Sequence, residues 1–299
     1  MKRAPHTGPE RPAAIAYAWL AIFFLVPMAL ILKLSLSNTE LGVPPYAPRL
    51  DLTHGIGGLT AFLNALNFDA YHRFVEDRLY LDAYLSSLGY ATVATAILLL
   101  IGYPMALAMA RAPRRAQAFL VAAVAAPFWT SFLIRIYAWT AILKPEGWLN
   151  LALRLVGLPQ LDLLNTDAAI YIGLVYSYLP FMVLPLYAVL ERQDHSLLEA
   201  AADLGATPWR AFWSVTFPLS LPGVAAGALL CLIPMTGEFI VPDLLGGSQT
   251  LMIGKVIWTE FFQNRDWPAA AAAAMALTAT LIVPILVYRR IEERQAARS

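Results

Sequence analysis

The segment HSLLEAAADLGATPWRAFWSVTFPLSLPGV, residues 195–224, decides how this chain reads, because it is charged and punctuated by glycine and proline yet lies between two runs of almost pure hydrocarbon. Its local chemistry spells two short helices joined by a turn. Ser196 and Glu199 have the S-x-x-E spacing of a capping box, so a helix starts there and runs through the alanines. Gly205 is placed to stop it. Thr207 followed by Pro208 restarts a helix, with a hydroxyl at the N-cap and a proline at the first helical position. This second helix is expected over Pro208 to Val215 and carries Trp209, Phe212 and Trp213 at i, i+3, i+4 spacing. Such a stripe fits aromatics anchored at a membrane interface. It fits equally a knob that enters a groove on a partner protein.

The flanking runs define the solvent. With 59% hydrophobic and 14% charged residues, the chain holds more apolar surface than a soluble core needs. About six segments are long enough to cross a bilayer as helices: 14–36, 85–110, 116–142, 168–190, 222–245 and 268–288. Prolines 27, 104, 127, 180, 185, 234 and 284 fall inside these runs, which predicts kinked spans. Basic residues orient them. Arg111, Arg114, Arg115, Arg192, Arg289 and Arg290 fall on one side together with the basic tail 1–13, which holds Lys2, Arg3 and Arg11. The opposite segments are longer and acidic, through Asp69, Glu76, Asp77, Asp82, Glu146 and Asp162. Both termini, including the tail 291–299, are therefore expected in the cytoplasm, with residues 192–220 forming a cytoplasmic loop. The first apolar run exceeds the ~7–15 residues of a signal-peptide core, so it is read as an uncleaved span.

Catalytic and metal-binding patterns do not emerge. Gly254-Lys255 is followed by Val256, so no phosphate-binding loop forms there, and ATP hydrolysis is not expected from this chain alone. His6, His54, His72 and His195 are scattered, and Cys231 is the single cysteine, so neither a metal-ligand spacing nor a cofactor is expected. The halves show no evident repeat, which weighs against an inverted-repeat secondary transporter.

Glu199-Ala200-Ala201, Gly205 six positions after the glutamate, and Val215-Thr216-Phe217-Pro218 resemble the EAA loop of ABC importer permeases, whose pattern is E-A-A, G, then I-x-L-P. Val replaces Ile and Phe replaces Leu, while the other positions keep their spacing. The stretches PFWTSFLIRIYAWTAIL (127–143), YSYLPFMVLPLYA (176–188) and GEFIVPDLLGGSQTLMIGKVIWTEFFQNRDWP (237–268) are similar to bacterial spermidine and putrescine permease subunits. The resemblance implies an all-α membrane protein of type I ABC importer architecture in the bacterial inner membrane. It implies a loop in which Glu199, Ala200, Ala201, Gly205, Trp209, Phe212, Trp213 and Pro218 couple to an ATP-binding subunit present in two copies. It also implies a second homologous permease subunit, a periplasmic polyamine-binding protein, and no nucleic-acid partner.

Charges inside spans point to the substrate path, because an ionisable side chain in lipid usually faces a bundle interior or an aqueous route. Arg135 and Glu238 are the clear cases. They are expected at similar depth, so a salt bridge between them is one reading. On the other, Glu238 attracts a cationic amine with help from Asp243 and the faces of Trp129, Trp139, Tyr176 and Tyr178, since carboxylates with aromatic walls suit ammonium groups. An amphipathic helix or a re-entrant turn at the outer surface is expected within 250–268, and an ordered outer cap over 38–82. Three classes of function stay open on residues alone: a permease driven by a separate ATPase, a self-sufficient secondary transporter or channel, and a scaffold. A docking knob serves the first and is superfluous to the second.

Overall fold

The computed structural model describes residues 16–49, 58, 60, 62, 64–194 and 196–296. The tail 1–13, with Lys2, Arg3 and Arg11, and His195 lie outside the described residues. The chain divides into two compact units: Met1–Arg78 with Ile257–Thr278, and Leu79–Val256 with Ala279–Ser299.

In the first unit, helix α1 (Ala16–Ser35) is apolar and long enough to cross a membrane. It opens into a π turn at Ala21–Leu25, just ahead of Pro27. A two-stranded antiparallel ribbon follows, with β1 (Asn38–Thr39) paired to β2 (Tyr46–Ala47), and then the short helix α2 (Asp69–Glu76). Asp266 ties this unit together. Its carboxylate accepts from Thr39 Oγ1 at 2.6 Å, from Arg73 Nη1 at 3.0 Å and from the Ala269 amide at 3.0 Å. The last of these caps the long helix that starts at Trp267. Thr39 and Arg73, from the segment expected to be an ordered cap, are thus held to a helix start far along the chain.

The second unit contains α3 (Arg78–Arg111), α4 (Arg114–Ala125), α5 (Phe132–Leu143), α6 (Trp148–Leu155) and α7 (Asp167–Leu190). Next come α8 (Ser196–Asp203), α9 (Pro208–Ala211), α10 (Phe217–Thr236), α11 (Ile240–Leu245) and α12 (Ile253–Phe262). The units divide within α12 and again within α13 (Trp267–Ala296). Among the described residues five helices are long and apolar enough to span a membrane, or six if a bent pair counts as one.

Helix α7 is the pillar of this unit: 56% of its apolar window is buried, with Ile170, Leu174, Met182, Val183 and Leu186 fully enclosed. In lipid the hydrophobic effect does not drive helices together, so close packing must. Gly223 and Gly227 of α10 provide it, in a G-x-x-x-G register against α7. A Cβ at Gly227 would lie 3.0 Å from Met182 Sδ, and one at Gly223 would lie 3.1 Å from the Val189 side chain.

Two expected spans are not single helices. The stretch 116–142 is broken: α4 with a 3₁₀ turn at Ala126–Trp129 is bent by 88° from the following helical stretch Phe132–Leu155, which α5 opens. Thr130 and Ser131 are extended at the break, and the Thr130 hydroxyl donates to the Pro127 carbonyl at 2.8 Å. The stretch 222–245 breaks after Thr236, where Gly237 to Phe239 separate α10 from α11. Proline and hydroxyl side chains at such points free or satisfy carbonyls, and non-helical backbone in a membrane survives only where protein or a water-lined cavity surrounds it.

Candidate functional site: a coupling loop and a capped carboxylate

The loop at 192–220 begins with α8, which carries Glu199, Ala200 and Ala201. Ser196 is already inside the helix, and its amide is bonded by the Asp194 carboxylate at 2.9 Å, so aspartate takes the role expected of the serine. The helix ends at Gly205 in the left-handed conformation, φ +81°. The Ala206 amide donates to the Ala201 carbonyl at 2.9 Å and the Gly205 amide to the Ala202 carbonyl at 2.8 Å. These two bonds make a Schellman cap. A Cβ at Gly205 would meet nothing within 4 Å, so backbone conformation alone selects glycine. Two residues on, the Thr207 hydroxyl accepts from the Arg210 amide at 3.4 Å and Pro208 opens α9, as expected.

The second short helix does not stop at Val215. It passes through a π turn, Phe212–Thr216, directly into α10, so the loop and a membrane span share one rod. The wide turn accommodates Pro218, whose ring would clash with a carbonyl in a regular helix. The expected aromatic stripe also divides. Trp209 and Trp213 are 71% and 49% exposed, whereas Phe212 turns inward and meets the Tyr103 ring of α3 edge-on at 5.6 Å. Phe212 anchors the pair, and the two indoles, 5.7 Å apart and T-shaped, form the projecting surface. An open apolar groove of about 610 Å³ lies beside it, lined by Tyr103, Leu107, Leu198, Ala202, Trp209 and Phe212. The Tyr103 and Ser220 hydroxyls are 2.8 Å apart, which ties the rod to α3.

The substrate-path candidates lie elsewhere in the same unit, and of them Tyr178 is the one bonded to Glu238. Glu238, with 9% of its surface exposed, sits at the break before α11. Its Oε1 accepts from the Phe239 and Ile240 amides at 3.1 and 3.0 Å, which are the first amides of that helix. Its Oε2 accepts from the Tyr178 hydroxyl at 2.7 Å. Tyr178 therefore contributes a hydroxyl to this site rather than only the aromatic face expected of it. An aromatic chain leads outward from it: Tyr178 packs on Phe181 at 5.9 Å and Phe181 on Phe128 at 5.0 Å. Trp139 and Tyr176 meet edge-on at 5.4 Å. Trp129 is 83% exposed. Phe128 and Phe181 lack polar atoms and sat unnoticed within apolar runs.

Among the described residues no ion pair joins Arg135 to Glu238. Arg135 lies with its guanidinium carbon 5.5 Å from the Phe132 ring, and its Nε and Nη1 are buried without a hydrogen-bond partner. Asp243 is occupied by a neighbour: Lys255 Nζ of α12 lies 3.4 Å from its Oδ1. Among the described residues no cluster of histidine, cysteine and carboxylate side chains is placed to hold a metal.

Residues 99–295 match the family model described as binding-protein-dependent transport system inner membrane component. The chain is 40% identical to the spermidine/putrescine transport system permease protein PotB of Haemophilus influenzae, over 93% of this chain and 91% of that one. It is 43% identical to the protein of the same name in Escherichia coli K12, over 74% and 81%. Its backbone superposes on a chain of a bacterial ABC transporter involved in the import of the acidic polysaccharide alginate, with a TM-score of 0.67 over 95% and 93% of the two chains at 19% identity. This chain belongs to the family of binding-protein-dependent inner membrane transport components, as a multi-pass permease subunit of the ABC importer type.

Proposed function

We propose that the chain is the permease subunit of an importer that moves a polyamine such as putrescine or spermidine into the cytoplasm, with no ATPase site of its own. The observation that carries the cationic substrate is Glu238. Its buried carboxylate is bonded by neutral donors, a phenol and two amides, which hold the anion without cancelling its charge. A substrate ammonium supplies the missing positive charge, while Tyr178, Phe181 and Phe128 offer ring faces to the cation and to its methylene chain. Similarity to permeases named for spermidine and putrescine supports the same substrate class.

The exposed Trp209 and Trp213 dock on an ATP-binding subunit, of which two copies serve the complex. Motion of that subunit is carried by the rod through the π turn into α10. A second homologous permease subunit completes the pathway, and a periplasmic polyamine-binding protein delivers the substrate. Both termini face the cytoplasm. The test is uptake of labelled spermidine or putrescine into proteoliposomes holding this chain with the partner permease, the ATPase and the binding protein. Uptake is expected to require ATP and to be lost in a Trp209→Ala/Trp213→Ala double variant that still inserts. Gradient-driven uptake by this chain alone would show a self-sufficient transporter instead.

A further inference from the structure

Helix α11 carries a second carboxylate, and a lysine already holds it. Lys255 Nζ approaches Asp243 Oδ1 to 3.4 Å, with the two side chains 30% and 48% exposed. The backbone that presents Lys255 is fixed. The Ile253 amide donates to the Ser87 hydroxyl of α3 at 2.8 Å, and a Cβ at Gly254 would lie 2.6 Å from the Glu238 carbonyl oxygen, while also striking that of Gly237. Lys255 is thus delivered beside the break that Glu238 caps, next to a glycine packed against that backbone.

The bond it makes there has a different character from those around Glu238. A half-solvated ion pair of this length is weak, because water and salt screen it and a long side chain must be ordered to form it. It can be displaced by a similar cation. The head group of lysine is a primary ammonium on a methylene chain, the same chemical group that ends a polyamine.

We propose that Lys255 is a resident ammonium that occupies Asp243 when the pathway is empty and yields it to the primary ammonium of an incoming solute. This deepens the polyamine reading and rests on it. Asp243 then selects by exchange: a solute with an ammonium replaces Lys255 charge for charge, while a neutral or acidic solute leaves the carboxylate paired. Lys255 is a specificity-determining residue by competition, and Asp243 is the group it competes for. The pair leaves Glu238 available for a second ammonium of the same solute.

Equilibrium binding of labelled spermidine to the complex of both permeases with the ATPase, in nanodiscs and without the binding protein, tests this. Lys255→Gln removes the competitor and is expected to tighten binding about two- to fivefold, the range a weak exposed pair corresponds to. Lys255→Arg keeps a competing cation and should bind close to wild type. In an Asp243→Asn background the gain from Lys255→Gln should vanish. Unchanged or weaker binding in Lys255→Gln, or a gain that persists without Asp243, overturns the proposal. Loss of assembly in Lys255→Gln overturns it too, since a displaceable pair carries no structural weight. Spermidine binding to the wild-type complex with none of these shifts defeats the exchange alone. Failure of the wild-type complex to bind or transport any polyamine defeats the substrate reading, and the exchange with it.

Discussion

Two glycines mark the difference between the halves of this mechanism. Gly205, in the loop, has open space around an absent Cβ and a positive φ, whereas Gly254, at the start of α12, stands against the carbonyls of Gly237 and Glu238. The first is required by the conformation of its own backbone and the second by the nearness of another backbone. Around Gly205 the ends of helices are closed by neighbours in sequence, through the Schellman bonds and the Thr207 cap. Around Gly254 distant groups take part: Ser87 closes the Ile253 amide, and Glu238, the local cap of α11, is itself held by Tyr178. Water tolerates a helix end finished by local groups. Inside a bundle in lipid, every freed amide must find a partner within the protein, so distant side chains finish an end or hold the side chain that does.

The comparison predicts unequal responses to added bulk. Gly254→Val should be the most damaging change, because its side chain meets backbone that cannot rotate away. A loss of about 3 kcal/mol, at the upper end for overpacking, is expected, read as a failure of the complex to assemble or a marked fall in its melting temperature. A well-assembled Gly254→Val complex would mean that the contact is loose.

Gly205→Val should cost less, about 1–2 kcal/mol from the left-handed backbone alone, and Gly205→Asn less again, since asparagine tolerates that region. The expected pattern is a loop that remains inserted, with ATP hydrolysis uncoupled from uptake in the valine variant and largely coupled in the asparagine variant. Equal uptake in all three proteins would break the assignment of Gly205 to the coupling geometry.

The same contrast explains what could be read from residues alone. Gly205, Thr207-Pro208 and the tryptophans were legible, because caps and turns in water are written in adjacent residues. The breaks inside 116–142 and 222–245 were not, because hydrocarbon on both sides of a break satisfies any span-length criterion. The inward turn of Phe212 depends on Tyr103, and spacing alone gave all three aromatics one face. Glu238 was found by its charge in an apolar run, but its caps depend on Tyr178 and on a helix break that the apolar pattern conceals. The pairing of Asp243 with Lys255 crosses a loop, and in sequence Lys255 only interrupts an amphipathic stripe.

The proposed function gives Glu238 a part in both fold and transport, so Glu238→Gln tests the account most directly. Glutamine preserves the shape and an acceptor oxygen for the Tyr178 hydroxyl or the α11 amides, and it removes the charge. Initial polyamine uptake and the melting temperature of the assembled complex should be measured in the same preparation. The account predicts an uptake rate at least about tenfold lower, corresponding to about 1.4 kcal/mol, with a melting temperature within a few degrees of wild type. Wild-type uptake at an unchanged melting temperature would contradict it, because Glu238 would then be a helix cap and nothing more.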